Sequence, residues 1–298
     1  MKTRIGILID SSTTYDDAFI SQNKIEVIPL SFSDATNKTF KDDNKSITRE
    51  DLLKRLDNHE SFKTSATPIG ELMTKVNDML QNCETVIFLP ISSGLSSQYS
   101  QSLIIQKEFE GQFFPIRSLS GAAGNEFVLK LIVEAVKSGK DVKTIVSEAE
   151  QHFNKISTYF SCEDSSGMTS GGRVSKAIVK AINLFKLKPI IQLDGKNHYG
   201  GIGKNYNNII KKIIKSINND FQNKLLAENI LNISIYYAGY EDKKKETIIN
   251  LLAEGFKFPK DKIAVRWLPN VVLIHAHRGA YGVSLESSIE HKIRDYED

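Results

Sequence analysis

Hydroxyls, one acid, two close histidines and one arginine are the residues whose spacing invites chemistry. The richest stretch is Ile91-Ser92-Ser93-Gly94-Leu95-Ser96-Ser97, directly after the apolar run Val86-Ile87-Phe88-Leu89-Pro90. An apolar run that breaks into a small-residue turn and then a helix is the pattern of a buried parallel strand opening onto a ligand crevice. Serine hydroxyls beside the free N–H groups of a helix N-terminus favour an anion, either a carboxylate or a phosphate. The same serines also act as caps and turn formers, so this stretch alone leaves both readings open. A second turn of the same kind, Asp10-Ser11-Ser12-Thr13-Thr14, ends the run Ile5-Gly6-Ile7-Leu8-Ile9. A third, Thr64-Ser65-Ala66-Thr67-Pro68, precedes an amphipathic segment.

Gly171-Gly172-Arg173-Val174-Ser175 stands where a helix should begin, and its paired glycines permit close backbone approach. The Arg173 guanidinium offers a donor fork for an anion or, equally, for a structural carboxylate. The P-loop spacing is missing, and Gly200, Gly201 and Gly203 do not form a dinucleotide fingerprint. His275 and His277 share one face if their segment is a strand, but no Cys or His cluster completes a zinc or iron site, so no metal is expected. His59, His152, His198 and His291 read as scattered surface residues. Asp10, a serine and a histidine make a hydrolase triad only on paper, because the Gly-x-Ser-x-Gly elbow is absent. No catalytic residue is assigned.

The elements that must position these groups alternate between strand and helix. Strands are predicted over residues 4–9, 27–32, 86–90 and 113–116. Thr48 and Asp51 open a helix carrying Leu52, Leu53 and Leu56. Thr67 as N-cap and Pro68 at the first helical position open another, with Ile69, Leu72, Met73, Val76 and Leu80 as its buried face. Helices over 125–136 and 142–156, the latter opened by Asp141, complete a parallel α/β domain. Its boundary is placed near Ser161, where a polar, glycine-rich stretch begins. In the second half, helices are predicted over 175–185, 206–217 and 246–254, the last ended by Gly255. Strands are predicted over 187–193, 233–237, 263–267 and 271–275. The last two are joined only by Leu268-Pro269-Asn270, too short for a parallel crossover, so they should be antiparallel and the second sheet mixed.

The bulk properties exclude several classes. The 298 residues suffice for two domains, and the 40% hydrophobic and 25% charged content is that of a globular protein. The net charge of +3 comes with lysines spread over many segments, which gives no support to nucleic-acid binding. Lys243, Lys244 and Lys245 lie among acidic residues and read as a solvated helix start. Cys83 and Cys162 are far apart and lack metal-ligand spacing, consistent with a reducing cytoplasm. No apolar stretch approaches the roughly 20 residues of a membrane span, and the chain runs into its first strand with no secretion signal.

Taken together, the motifs resemble the DegV family of bacterial fatty-acid-binding proteins. The resemblance rests on six stretches in order: Asp10-Ser11-Ser12, Thr64-Ser65-Ala66-Thr67-Pro68, Ser92-Ser93-Gly94-Leu95-Ser96, Gly171-Gly172-Arg173-Val174-Ser175, Leu184-Phe185-Lys186-Leu187-Lys188-Pro189 and His277-Arg278-Gly279. It implies an N-terminal three-layer α/β domain with a parallel sheet, residues 1–160. A C-terminal α/β domain with a mixed sheet follows, residues 161–298, with one long-chain fatty acid between the two. The ligand-binding residues implied are Thr64, Ser65, Ser93, His277 and Gly279, with Ser96 and Ser97 left to capping. Gly172 and Arg173 are implied in the head-group region or in presenting it to a partner. The family carries the fatty acid, without a further cofactor, to a separate fatty-acid kinase that makes the acyl phosphate. A metabolic enzyme acting on a phosphorylated small molecule at an interdomain cleft is the alternative. This sequence departs from the family at the final turn, where Ala280 and Tyr281 replace the usual proline and glycine, and at Arg117-Ser118, where Asp-Ser is usual.

Overall fold

The computed structural model of the chain describes residues 3–162, 187–239 and 242–291. The chain divides into two compact units, one comprising Met1–Leu52, Glu60–Phe153 and Pro269–Val271, the other Leu53–His59, Asn154–Leu268 and Val272–Asp298.

Unit 1 is built on four parallel strands, β1 (Thr3–Asp10), β2 (Glu26–Ile28), β6 (Cys83–Leu89) and β7 (Phe113–Pro115), in the order β2-β1-β6-β7. The near-continuous apolar runs of β1 and β6 follow from burial on both faces. Leu8, Val86, Phe88 and Phe113 pack with Leu72, Val76 and Leu80 of α3 (Ile69–Leu80) and Ile105 of α4 (Gln98–Glu108). Strand alternation sends Ile7, Ile9, Ile87 and Leu89 to the opposite face, the side of α5 (Ala122–Lys137) and α6 (Val142–His152). A small antiparallel sheet of β3 (Ser31–Asp34), β4 (Thr39–Lys41) and β5 (Phe62–Ser65) is held by Phe32, whose ring stacks on Phe40 and meets Phe62 edge-on. Two further helices are α1 (Asp17–Gln22) and α2 (Arg49–Asp57), the latter opened by the reciprocal Thr48–Asp51 cap.

Unit 2 carries a six-stranded mixed sheet. Its strands are β8 (Ile156–Ser161), β9 (Lys188–Asp194), β10 (Lys196–Gly203), β11 (Ile230–Tyr237), β12 (Ala264–Trp267) and β13 (Tyr281–Ser287), in the order β10-β9-β8-β13-β11-β12. Only β11 and β12 run parallel. One face packs Tyr159, Ile190, Ile233, Ile235, Val283 and Leu285 against the isoleucine stripe of α7 (Tyr206–Asp220) and against Ile248, Leu252 and Phe256 of α8 (Asp242–Phe256). Helix α9 (Asn270–Ala276) precedes the last strand.

Several sequence expectations are corrected. Residues 271–275 form part of α9, not a strand, although Val271-Val272-Leu273-Ile274 has strong β-propensity. The Asp42 carboxylate accepts from the Val271 N–H and the Asn270 side chain, and an acid satisfying the first turn of a helix outweighs that propensity. His275 and His277 therefore share no strand face. The sheet is mixed, but its last strand is β13, a segment for which the sequence predicts no element, and it runs antiparallel to both β11 and β8. The predicted helix over 142–156 stops at His152, and Ile156 begins β8. The single strand expected over 27–32 is two, β2 and β3.

Gly255 does not end α8, which runs on to Phe256. A Cβ at Gly255 would stand 2.6 Å from Ile214 Cδ1, so this glycine serves the close approach of α7 and α8. The buried stripe of α3 is narrower than predicted, since Ile69 and Met73 are 41% and 40% exposed. His291 is buried, with its ring edge-on to Phe221. The helix expected over 175–185 lies outside the described residues.

Gly282 pairs directly with Tyr236 on the face of the sheet away from α7 and α8, and the Tyr236 ring lies over it. A Cβ at Gly282 would stand 2.1 Å from Tyr236 Cε2, and the ring is fixed by burial and by its hydroxyl's bond with Ser284. Gly282→Ala is expected to destabilise the protein by about 3 kcal/mol in urea unfolding, the overpacking cost of a rigid neighbour. A loss below about 0.5 kcal/mol would show that the ring is free to move aside.

Candidate functional site

The carboxyl ends of β1, β6 and β7 lie side by side, so the turns that follow them share one edge of unit 1. These turns are laced together by backbone bonds: Ser92 N–H donates to Ser120 O, Ala122 N–H to Ser12 O and Thr14 N–H to Ala122 O. Asp10, wholly buried at the end of β1, clamps two of them. Its Oδ1 accepts from the Ser12 N–H at 3.0 Å and from the Ser12 hydroxyl, and its Oδ2 accepts from the Ile91 N–H at 2.7 Å. Burial pushes its pKa up to about 6, even though these three donors favour the ionised form.

The far end of the serine turn is fixed by a neutral counterpart. The Gln98 amide, also buried, accepts from Thr67 N–H at 2.9 Å and donates to Thr67 Oγ1 at 3.2 Å. Thr67 Oγ1 in turn donates to Pro29 O at 2.8 Å. Thr67 is thus a cross-link between loops and not the predicted N-cap, a position that Pro68 occupies without a side-chain bond. Between the two clamps, Ser92 is buried and Ser93 and Gly94 are exposed. Ser96 accepts from the Gln98 N–H at 3.2 Å, so Ser96, and not Ser97 at the N-cap position, caps α4.

Further polar residues, mostly buried, tie the neighbouring turns together. Ser11 donates to Asp42 at 2.8 Å and accepts from Leu30 N–H, while burial pushes Asp42 up to about 6 despite bonds from Ser11, Asn270 and Val271 and the nearby Arg49 charge. Ser118 donates to Asn125 Oδ1, and Asn125 donates to Pro90 O, which ties the β7 turn to the serine turn. Thr14 donates to the buried Glu126, which pairs with Lys130. The hydroxyl of Thr13 is buried and lacks a hydrogen-bond partner.

Of the residues singled out in the sequence, Thr64 and Ser65 end β5 in the small sheet. Ser65 is exposed, and Thr64, half-buried, pairs with Phe32. The Thr67–Gln98 clamp joins their loop to the serine turn that carries Ser93. His277 and Gly279 belong to unit 2, in the turn between α9 and β13. His277 has a φ of 58° and closes α9 by donating its N–H to Leu273 O. Gly279, with a φ of 85°, donates to Ala238 O, and Ala238 N–H donates to Ala280 O. Positive φ at these two positions turns the chain into β13 without the family's usual proline. Arg278 is tied to Asp57. Gly172 and Arg173 lie outside the described residues. Among the described residues, no group of three or more His, Cys, Asp or Glu side chains is placed to hold a metal ion.

Asp42, Gln98, Asn125 and Glu126 were not singled out in the sequence, and Asp10 figured as the end of an apolar run, a paper triad member and the first residue of a family motif, with no role of its own assigned. An acid that ends a fully apolar strand is a usable signal for such a clamp. Gln98, Asn125 and Glu126 carry no sequence signal, because their partners are far away along the chain.

Asp10 and Asp42 bind their protons about two pH units above the ordinary value of 3.8. The folded chain thus holds protons between pH 4 and 6 that the unfolded chain has released, and this contribution to stability is lost as pH rises through that window. Asn at either position removes the effect. The stability of Asp10→Asn relative to wild type should therefore improve by up to about 3 kcal/mol between pH 4 and pH 7, and likewise for Asp42→Asn. A difference that stays constant with pH in urea titrations would contradict the raised values.

Residues 4–288 match the profile of the family described as "Uncharacterised protein, DegV family". The chain is 30% identical over 292 residues to the DegV domain-containing protein UU535 of Ureaplasma parvum, which covers 98% of each chain. A fatty-acid-binding DegV family protein from Thermus thermophilus has the same fold, with a TM-score of 0.82 at 21% identity over 96% of this chain and 100% of that one. A stearic acid-binding protein from Eubacterium ventriosum gives 0.81 at 18% identity, over 96% and 98%. Among the described residues no helix is long and apolar enough to cross a membrane. A family match that runs from the first strand through the last places this chain in the DegV family.

Proposed function

We propose that this protein binds one long-chain fatty acid by its carboxylate and presents it to a separate fatty-acid kinase, which forms the acyl phosphate. The observation that carries the reading is the serine turn: Asp10 and Gln98 hold its two ends while Ser93 stays exposed between them. Ser93, Thr64 and Ser65 are neutral donors to the carboxylate, and the start of α4 adds the partial positive charge of a helix N-terminus. Fatty-acid binding by the solved relatives from Thermus thermophilus and Eubacterium ventriosum supports the choice of a carboxylate over a phosphate. His277 and Gly279 are proposed as further ligand-binding residues, and Gly172 and Arg173 as the head-group region offered to the kinase.

Burial of the tail gives about 0.8 kcal/mol per CH₂, so the tail sets affinity and the hydroxyls set orientation. Neutral donors leave the carboxylate without a tight counter-ion, open to a phosphoryl donor. On this reading the chain works in the cytoplasm as a carrier, with no catalytic residue or cofactor of its own.

Displacement titration of the delipidated protein with stearate and oleate tests the reading. Wild type should bind both. Ser93→Ala should bind at least about tenfold more weakly, the value of one hydrogen bond to a charged group, at an unchanged melting temperature. A wild type that binds no fatty acid, or a Ser93→Ala variant of wild-type affinity, would refute it. For the kinase, Arg173→Ala should retain bound fatty acid while acyl phosphate formation falls. Loss of the ligand itself would place Arg173 in the binding site instead.

A further inference from the structure

Asp10 takes the donors nearest to the serine turn out of use, and this has a consequence for what holds the head group. Two N–H groups and one hydroxyl, from Ile91 and Ser12, end on a single carboxylate that is wholly buried. Ile91 N–H lies two residues before Ser93, and the next backbone group, Ser92 N–H, is bound to Ser120 O. At the far end Gln98 is locked to Thr67. The exposed Ser93 therefore stands on a short turn whose position is set by the Asp10 bond at one end and the Gln98 bond at the other. An acid is needed at residue 10 because its carboxylate only accepts. Asn in its place turns an N–H towards either Ile91 N–H or the Ser12 donors, and one side of the clamp opens.

We propose that Asp10 is a positioning residue for the fatty-acid head group, acting through the Ile91 N–H to fix where the Ser93 hydroxyl stands. The proposal rests on the fatty-acid reading above and adds to it that the strength of the Ser93 contact depends on a carboxylate that never touches the ligand. A residue that acts through Ser93 has no effect on binding once the Ser93 hydroxyl is gone. One that merely supports the fold costs the same in either background.

The experiment is a double-mutant cycle on stearate affinity, with wild type, Ser93→Ala, Asp10→Asn and the pair, all delipidated. Asp10→Asn should weaken stearate binding about tenfold in the wild-type background and less than twofold in the Ser93→Ala background. If Asp10→Asn fails to fold, Ser12→Ala replaces it, since it removes one of the three donors and leaves the carboxylate. It should weaken binding about threefold with Ser93 present and have no effect without it. Equal losses in both backgrounds, or no loss in the first, overturn the positioning role. A wild type that binds no stearate is the separate failure of the fatty-acid reading, visible before any mutant is compared.

Discussion

A buried carboxylate at the end of the first strand is the constraint on which the turn-bearing edge of unit 1 depends. Parallel strands that stop at one edge of a sheet leave backbone N–H groups there with no strand partner, and each such group is costly if it is buried unsatisfied. Asp10 resolves this for the turns after β1 and β6 together, because one acceptor-only side chain reaches donors on both. The cost is desolvation of a charge, which appears as a pKa near 6 where 3.8 is ordinary. Asp42 repeats the arrangement beside it, holding Ser11 and the start of α9. Unit 1 thus places two desolvated acids behind its loops, each bonded to more than one of them.

The exposed hydroxyls of these turns are neutral. Ser93, Gly94 and Ser65 are exposed, whereas the acids that organise the turns are buried behind them. For the proposed carboxylate ligand the division has a physical sense. Hydroxyls and a helix N-terminus orient an anion without pairing it to a full opposite charge, so the anion keeps its nucleophilic oxygens available.

The parts of this protein that were legible in the sequence are those fixed by local rules. The apolar runs of β1 and β6 announced a doubly covered parallel sheet, the stripe of Ile209, Ile210, Ile213 and Ile217 announced α7, and the Thr48–Asp51 pair announced α2. The six ordered motifs announced the family. What was misread depended on distant partners. Residues 271–275 are helical because Asp42, far back in the chain, caps them. Gly255 looks like a helix stop until Ile214 is seen against it, and Tyr281-Gly282 looks like loop until Tyr236 is seen across it. The clamp residues were hidden for the same reason. Gln98 and Thr67 are ordinary helix-start residues in sequence and meet only once two βα units are stacked.

The central claim is that the Ser93 turn holds the head group of a fatty acid, and a crystal structure of the protein with stearate tests it most directly. The account expects one stearate per chain, with its carboxylate within hydrogen-bond distance of Ser93 Oγ and Asp10 still bonded to Ile91 N–H without touching the ligand. A stearate whose carboxylate lies elsewhere, or a protein that remains empty under saturating stearate, would contradict it.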